Sequence, residues 1–179
     1  PVKLGCDSTF LCVMPLFHTG GLNCYATPVF FLGGTVILMR EFDPALALKI
    51  MSDRAMGVTH FFGVPQIYSA LSHLEGFDEA DFSTMVVAGG GGAPASDSLV
   101  KLWLGKGVPL QPAYGMTEIG PAITITPLDR VQDKIGSAGQ PAMNLELRIA
   151  DESGAAVAPG HIGEIQVRGP VVMSGYWRN

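Results

Sequence analysis

The run Gln111-Pro112-Ala113-Tyr114-Gly115-Met116-Thr117-Glu118 places an aromatic ring, a glycine, a hydroxyl and a carboxylate side by side, directly after the apolar approach Val108-Pro109-Leu110. Tyr114 supplies a flat π-face and Gly115 lets a backbone approach closely. Thr117 supplies a hydroxyl donor, and Glu118 a hard oxygen ligand. The set suits a nucleotide, with a base to stack, a phosphate to hydrogen-bond and a magnesium ion to hold. The plain alternative is a strand ending in a turn, with Thr117 capping a helix. Taken alone, the run leaves both open.

Two further groups could share its chemistry. Gly89-Gly90-Gly91-Gly92-Ala93-Pro94 follows the apolar strand 85–88 and precedes a helix whose cap is Ser96. Glycine at the carboxyl end of a parallel strand is where open α/β sheets bind ligands, and four glycines let backbone meet a flat or charged molecule. The loop lacks a Gly-Lys-Ser/Thr ending, and tight-turn packing explains many such loops. His18 lies in Pro15-Leu16-Phe17-His18-Thr19-Gly20-Gly21, again just past a strand. It reads either as a hydrogen-bonded core histidine or as a polar gate at the mouth of an apolar pocket. All three features occupy the loop after a parallel strand, so one edge of a sheet could gather them. His60, His73 and His161 have no partner at metal-ligand spacing, and Glu164 with Arg168 reads as a solvated strand face.

The elements that position these residues follow from apolar runs and their breaks. Strands are expected at 9–14, 35–39, 58–62, 84–88 and 108–113. Helices are expected over 20–32, from Asp43-Pro44 onward, over 65–74 and over 96–104. The 20–32 helix reads as apolar nearly all round and therefore buried, ending at Gly33-Gly34. Leu46, Ile50, Met51 and Met56 mark the inner face of the helix capped by Asp43. Strand–helix alternation implies an α/β fold with a mostly parallel sheet flanked by helices, and the strands at 9–14 and 35–39 read as buried on both sides. From about residue 130 the period becomes two, in Leu145–Ile149 and Ile162–Arg168, with a turn at Asp151–Gly154. This is the start of a small antiparallel β-barrel subdomain. The expected division is 1–128 and 129–179.

Composition narrows the function classes. Of 179 residues, 47% are hydrophobic and 15% charged, which describes a packed globular interior. Eleven basic against sixteen acidic residues give a net charge of −5 with no basic block, arguing against nucleic-acid binding. Cys6, Cys12 and Cys24 are odd in number and lack Cys-x-x-Cys spacing, so they read as thiols of a reducing compartment. No apolar run reaches membrane-spanning length and no signal peptide is evident, so a soluble cytoplasmic protein is expected. The chain starts without methionine and stops after Tyr176-Trp177-Arg178-Asn179, which reads as a piece of something longer.

In order, Pro15-Leu16-Phe17-His18, Gly91-Gly92-Ala93-Pro94, Tyr114-Gly115-Met116-Thr117-Glu118, Gly163-Glu164-Ile165-Gln166-Val167-Arg168-Gly169-Pro170 and Gly175-Tyr176 resemble the adenylate-forming superfamily across essentially the whole chain. That superfamily includes acyl-CoA synthetases, aryl-CoA ligases, luciferases and peptide-synthetase adenylation domains. The resemblance implies an AMP-forming acid–thiol ligase using ATP, Mg2+ and coenzyme A. A carboxylate attacks the α-phosphate of ATP to give acyl-adenylate and pyrophosphate, and a thiol then displaces AMP. Carried onto this sequence, Tyr114 stacks on adenine, Gly91, Gly92, Ala93 and Pro94 line the nucleotide and acyl pocket, and Gly115 and Met116 belong to the same cofactor-binding run. Thr117 holds the α-phosphate, Glu118 ligates magnesium, and His18 borders the acyl-carboxylate pocket. Pro112 stands where many members carry glutamine, and Gly90 where many carry serine.

The family's phosphate-gripping loop, ribose-binding aspartate, hinge and lysine-bearing C-terminal domain have no counterpart here. The chain is therefore expected to be a central portion of a synthetase, with little activity alone. Thr19-Gly20-Gly21-Leu22-Asn23, after His18, is small and uncharged. No acid or base marks a substrate ammonium or second carboxylate, so the expected partner is an apolar carboxylic acid, fatty or aromatic. An amino-acid-activating domain that loads a carrier protein, a nucleotide- or acyl-binding module without chemistry, and a structural fragment without ligand affinity stay as alternatives. Oligomeric state is left open.

Overall fold

The computed structural model describes residues 2–178; Pro1 and Asn179 lie outside the described residues. Apolar runs become strands β1 (Thr9–Cys12), β2 (Thr35–Leu38), β3 (His60–Gly63), β4 (Val87–Gly90) and β5 (Leu110–Met116). Between them lie α1 (Thr19–Gly21), a π-helical turn (Leu22–Ala26), α2 (Thr27–Phe31), α3 (Pro44–Ser52), α4 (Pro65–Ser72) and α5 (Asp97–Gly105). With β6 (Gly120–Ile125) and β7 (Gln140–Pro141), the strands pair in the order β2-β1-β3-β4-β5-β6-β7. Every pairing from β2 to β5 is parallel, and the last two are antiparallel. Strands β8 (Glu146–Ala150) and β9 (Glu164–Arg168) form a separate antiparallel pair. The expected mostly parallel, helix-flanked sheet is present.

Alternation along the strands divides the core between two faces. The register row Leu11, Phe61, Ala88 and Leu110 faces a cluster with Met51 of α3, Tyr68 of α4 and Trp103 of α5. Trp103 is fully buried, edge-on to Tyr68 and Phe77 at ring distances of 5.2 Å. Neighbouring positions Phe10, Cys12, Phe62 and Val87 turn to the other face, against Tyr25, Ala26 and Val29. The same register aligns the carboxyl ends of β1, β3 and β4 with Pro112 of β5, so the loops after those three strands and the further run of β5 emerge along one edge.

Several expectations are corrected. The helical run over 19–31 is not buried all round: Tyr25, Ala26 and Val29 face the sheet, while Phe30 and Phe31 are 65% and 88% exposed. It packs at the sheet margin, where one face suffices. Strand β2 pairs only with β1 and is the edge strand, so Thr35 and Leu38 are exposed instead of buried on both sides. Asp43 caps α3 as expected, its Oδ1 accepting from the Leu46 amide at 3.0 Å. The inner face, however, is Ala47, Leu48 and Met51; Leu46 is exposed, and Met56 lies beyond the helix. Met51 of the expected set is in the core and Ile50 packs partly against it, whereas Leu46 falls on the side turned away from the core that Ala47, Leu48 and Met51 join. Strand β4 runs later than expected and takes in Gly89 and Gly90, and β5 continues through Met116. Thr117 lies in the turn between β5 and β6 and caps no helix. The expected boundary at 128/129 falls between β6 and β7, both of which pair in the large sheet.

Candidate active site

Strand β5 outruns its parallel partner: β4 pairs with it only as far as Pro112, after which Ala113–Met116 pairs with β6 alone. The β5–β6 register shifts between Tyr114 and Met116, a β-bulge centred on Gly115. Bulges bend a strand and re-aim the side chains that follow. A Cβ on Gly115 would lie 2.4 Å from the Pro121 carbonyl carbon and oxygen. The close approach that this glycine permits is therefore to β6. Buried Gln111 secures the base of the projection, its Nε2 donating to the Thr126 carbonyl at 2.7 Å, and the Thr126 amide donates to the Pro112 carbonyl at 2.9 Å.

The glycine run splits by role in a similar way. At Gly89 a Cβ would meet the Tyr25 hydroxyl at 2.8 Å and Phe62 at 2.9 Å, so this glycine serves core packing, while Tyr68 donates to its carbonyl at 2.6 Å. Gly92 has φ +78, a left-handed turn that glycine adopts without strain. Between this turn and the bulge lies a cavity of about 350 Å³ lined by Gly90, Gly92, Ala93, Pro94, Ala113, Tyr114 and Gly115, together with Val100, Leu110, Gly136, Ser137 and Ala138. Its walls are mainly backbone and small apolar groups around one aromatic ring, which suits a flat ligand held by stacking and main-chain contacts. The structure thus brings Gly92, Ala93, Pro94, Tyr114 and Gly115 together. Gly91 packs against Phe62 and the Ala113 carbonyl and does not line the cavity.

Met116, the last residue of β5, and Thr117 and Glu118, on the turn that follows, lie outside the lining. Tyr176 donates to Glu118 Oε1 at 2.6 Å, and this hydrogen bond holds the carboxyl below the usual carboxylate range. The same bond pushes the Tyr176 hydroxyl up. The Met173 amide donates to the Glu118 carbonyl at 2.8 Å. Among the described residues no group of three or more His, Cys, Asp or Glu could hold a metal by itself. An anionic carboxylate at an open turn, completed by phosphate oxygens, fits the way magnesium is held at nucleotide sites.

His18 is neither buried nor part of the cavity. It is exposed and caps α1, its Nδ1 accepting from the Gly20 amide at 3.0 Å, so the neutral ring carries its proton on Nε2. The helical run that it starts leans on β6, where the Cys24 thiol approaches the Pro121 carbonyl at 4.0 Å and burial pushes that thiol up to about 12. His18 thus shares an edge with the nucleotide-like cavity without touching it. Sequence reasoning missed the wall at 136–138 and the role of Tyr176. The first lies in a loop without periodicity, and the second is joined to Glu118 only by folding over 58 residues.

Comparison with known proteins shows what the chain is similar to. The family described as "AMP-binding enzyme" matches residues 2–177. The chain is similar to a feruloyl-CoA synthase of an Amycolatopsis species, 40% identical over 174 residues, which are 97% of this chain and 35% of that protein. It is similar to an indoleacetate–CoA ligase of Aromatoleum aromaticum, 36% identical over 178 residues, 99% of this chain and 34% of that protein. Among solved structures, an o-succinylbenzoate coenzyme A synthetase from Bacillus subtilis in complex with ATP and magnesium superposes with TM-score 0.81 at 29% identity, over 96% of this chain and 35% of that one. The chain spans about a third of the length of the curated relatives it matches.

Proposed function

Because the chain belongs to the AMP-binding enzyme family, we propose that it is the central part of an AMP-forming acyl-CoA synthetase acting on an apolar carboxylic acid, aromatic or fatty. In the first step a carboxylate oxygen of the acid attacks the α-phosphorus of ATP, the bond to the bridging oxygen breaks, and pyrophosphate leaves. In the second, the sulfur of coenzyme A attacks the acyl carbon and AMP departs.

The cavity between the Gly92 turn and the Tyr114 bulge carries this reading. Tyr114 stacks on the adenine and the Gly92-Ala93-Pro94 backbone walls it in, while Gly115 and Met116 set the course of the strand. Thr117, on the turn, donates to the α-phosphate. Glu118 holds the divalent cation, which screens the phosphates. His18 caps the helix bordering the acyl side, with its Nε2 proton available to the acid. Relatives named for feruloyl and indoleacetate favour an aromatic acid, and the small uncharged segment 19–23 offers no group to bind a substrate ammonium. The three free cysteines and the lack, among the described residues, of a helix long and apolar enough to cross a membrane support a cytoplasmic site of action.

The test is pyrophosphate release from the complete polypeptide with a panel of aromatic, fatty and amino acids. Glu118→Gln is expected to lower the rate by weakening cation binding, and Tyr114→Ala chiefly to raise the KM for ATP. An unchanged rate in Glu118→Gln removes the metal role. For the 179-residue chain, calorimetry is expected to find AMP binding without carboxylate-dependent pyrophosphate release. Robust turnover by that chain refutes its being only part of the site.

A further inference from the structure

We propose that Tyr176 is a positioning residue for the Glu118 carboxylate, orienting it toward the cation held with ATP. The inference rests on the metal role proposed for Glu118. Residues 171–176 form no helix or strand, yet they grip one residue of the β5–β6 turn twice: the Met173 amide donates to the Glu118 carbonyl at 2.8 Å and the Tyr176 hydroxyl to Glu118 Oε1 at 2.6 Å. Val171 lies against Gly120, where that turn enters β6. The backbone bond already fixes the chain path, so the tyrosine bond adds something different, a set direction for the carboxylate.

The surroundings of Tyr176 point the same way. Its side chain is 51% exposed and joins no core cluster, so little packing energy holds the ring in place. Hydroxyl-to-carboxylate bonds are short and charge-assisted, and Tyr176 is the first cause that holds the Glu118 carboxyl low, ahead of the hydrogen bond from Glu118's own amide. A free glutamate on an open turn samples several rotamers, and ordering it on ligand binding lowers affinity. Tyrosine supplies that order in advance with a stiff ring and two side-chain torsions. It donates one proton to one oxygen and leaves the carboxylate its charge and its remaining lone pairs for a hard cation.

Partners that orient a metal ligand typically alter affinity by about 10–100-fold when removed. The experiment uses the complete polypeptide with ATP and Mn2+, reading free Mn2+ by electron paramagnetic resonance in wild type, Tyr176→Phe and Glu118→Gln. AMP affinity without metal and the thermal midpoint are measured on the same proteins. Phenylalanine keeps the ring, and at a half-exposed site it leaves folding intact. The expected result is a rise of about tenfold or more in the Mn2+ dissociation constant for Tyr176→Phe, with AMP affinity within about twofold and an unchanged midpoint. If Glu118→Gln weakens Mn2+ binding and Tyr176→Phe does not, the positioning role is refuted and the metal role of Glu118 stands. If neither weakens it, the metal role itself fails and the inference with it. If Tyr176→Phe lowers Mn2+ affinity, AMP affinity and the midpoint together, Tyr176 is a structural clamp and the inference is overturned.

Discussion

Adding one methyl group at Gly115 separates two readings of the bulge. In Gly115→Ala the new carbon would sit 2.4 Å from the Pro121 carbonyl carbon and oxygen and 2.5 Å from the Gly120 oxygen. Carbon contacts are comfortable at about 3.5–4.0 Å, so β5 and β6 must part by roughly 1 Å at that point. All three obstructing atoms are backbone, and none can swing aside as the end of a side chain would. Overpacking of this kind costs about 1–3 kcal/mol. If the cost falls on the β5–β6 pair, the opened state becomes about 5- to 150-fold more populated. Two measurements follow on the 179-residue chain: the denaturant midpoint, and hydrogen exchange at the Thr126 amide, which donates to the Pro112 carbonyl between the β6 end and β5. Exchange should accelerate by that factor and the midpoint should fall. If stability stays within about 0.5 kcal/mol and exchange is unchanged while AMP binding is lost, the glycine makes room for ligand and the steric account is wrong.

Gly89→Ala is expected to cost about 1–3 kcal/mol, because its methyl meets Tyr25 and Phe62 in the core at 2.8–2.9 Å. Adding Tyr25→Phe removes the nearest of those contacts and should recover part of the loss; strict additivity of the two changes in urea unfolding refutes the contact. His60 should titrate below its ordinary value of about 6.5, because burial disfavours its charged form despite the Val2 carbonyl at 2.9 Å from Nε2 and the charge of Asp7. The unfolded imidazole then takes up a proton before the folded one. Stability is complete above about pH 6.5 and falls as pH drops toward the folded value, by at most about 1.4 kcal/mol per unit. A His60 resonance titrating at or above 6.5, or a His60→Gln variant with the same acid slope as wild type, contradicts this.

The parallel sheet was legible in the sequence because its strands are short apolar runs, two of them followed by Pro15 and the four-glycine run, and because Gly33-Gly34 marks a helix end and Asp43-Pro44 and Ser96 mark helix starts. Strand β6 was not. Gly120-Pro121-Ala122 opens with two residues that usually break strands, and only its pairing with the overhang of β5 makes it one. Phe30, Phe31 and Leu32 looked like core because residue type carries no information about position in the sheet, and the exposed face follows from lying at its margin. Tyr114 and Glu118 were picked out by type and spacing. Tyr176 could not be joined to Glu118, since a contact across 58 residues depends on how residues 171–176 cross the turn.

Gly89 and Gly115 are glycines because backbone or core side chains occupy the space of a Cβ, whereas Gly90 and Gly92 face the cavity. Among the described residues the cavity lining contains no lysine, arginine, aspartate or glutamate, so these walls select shape and stacking and supply no countercharge. The nearest carboxylate that the sequence motif provides is Glu118, which is anionic. A polyphosphate running from the Tyr114 ring toward that turn meets like charge, and two unit charges 4 Å apart repel by about 4 kcal/mol at the effective dielectric of a protein surface. On the proposed function, Glu118 would hold a divalent cation at this turn, and the cation would supply the charge that offsets the repulsion. Salt should therefore weaken AMP binding by this chain little, whereas ATP binding should depend steeply on the divalent ion. On the proposed function, then, the base would be held through its face in the cavity, and the phosphates at the turn through the metal.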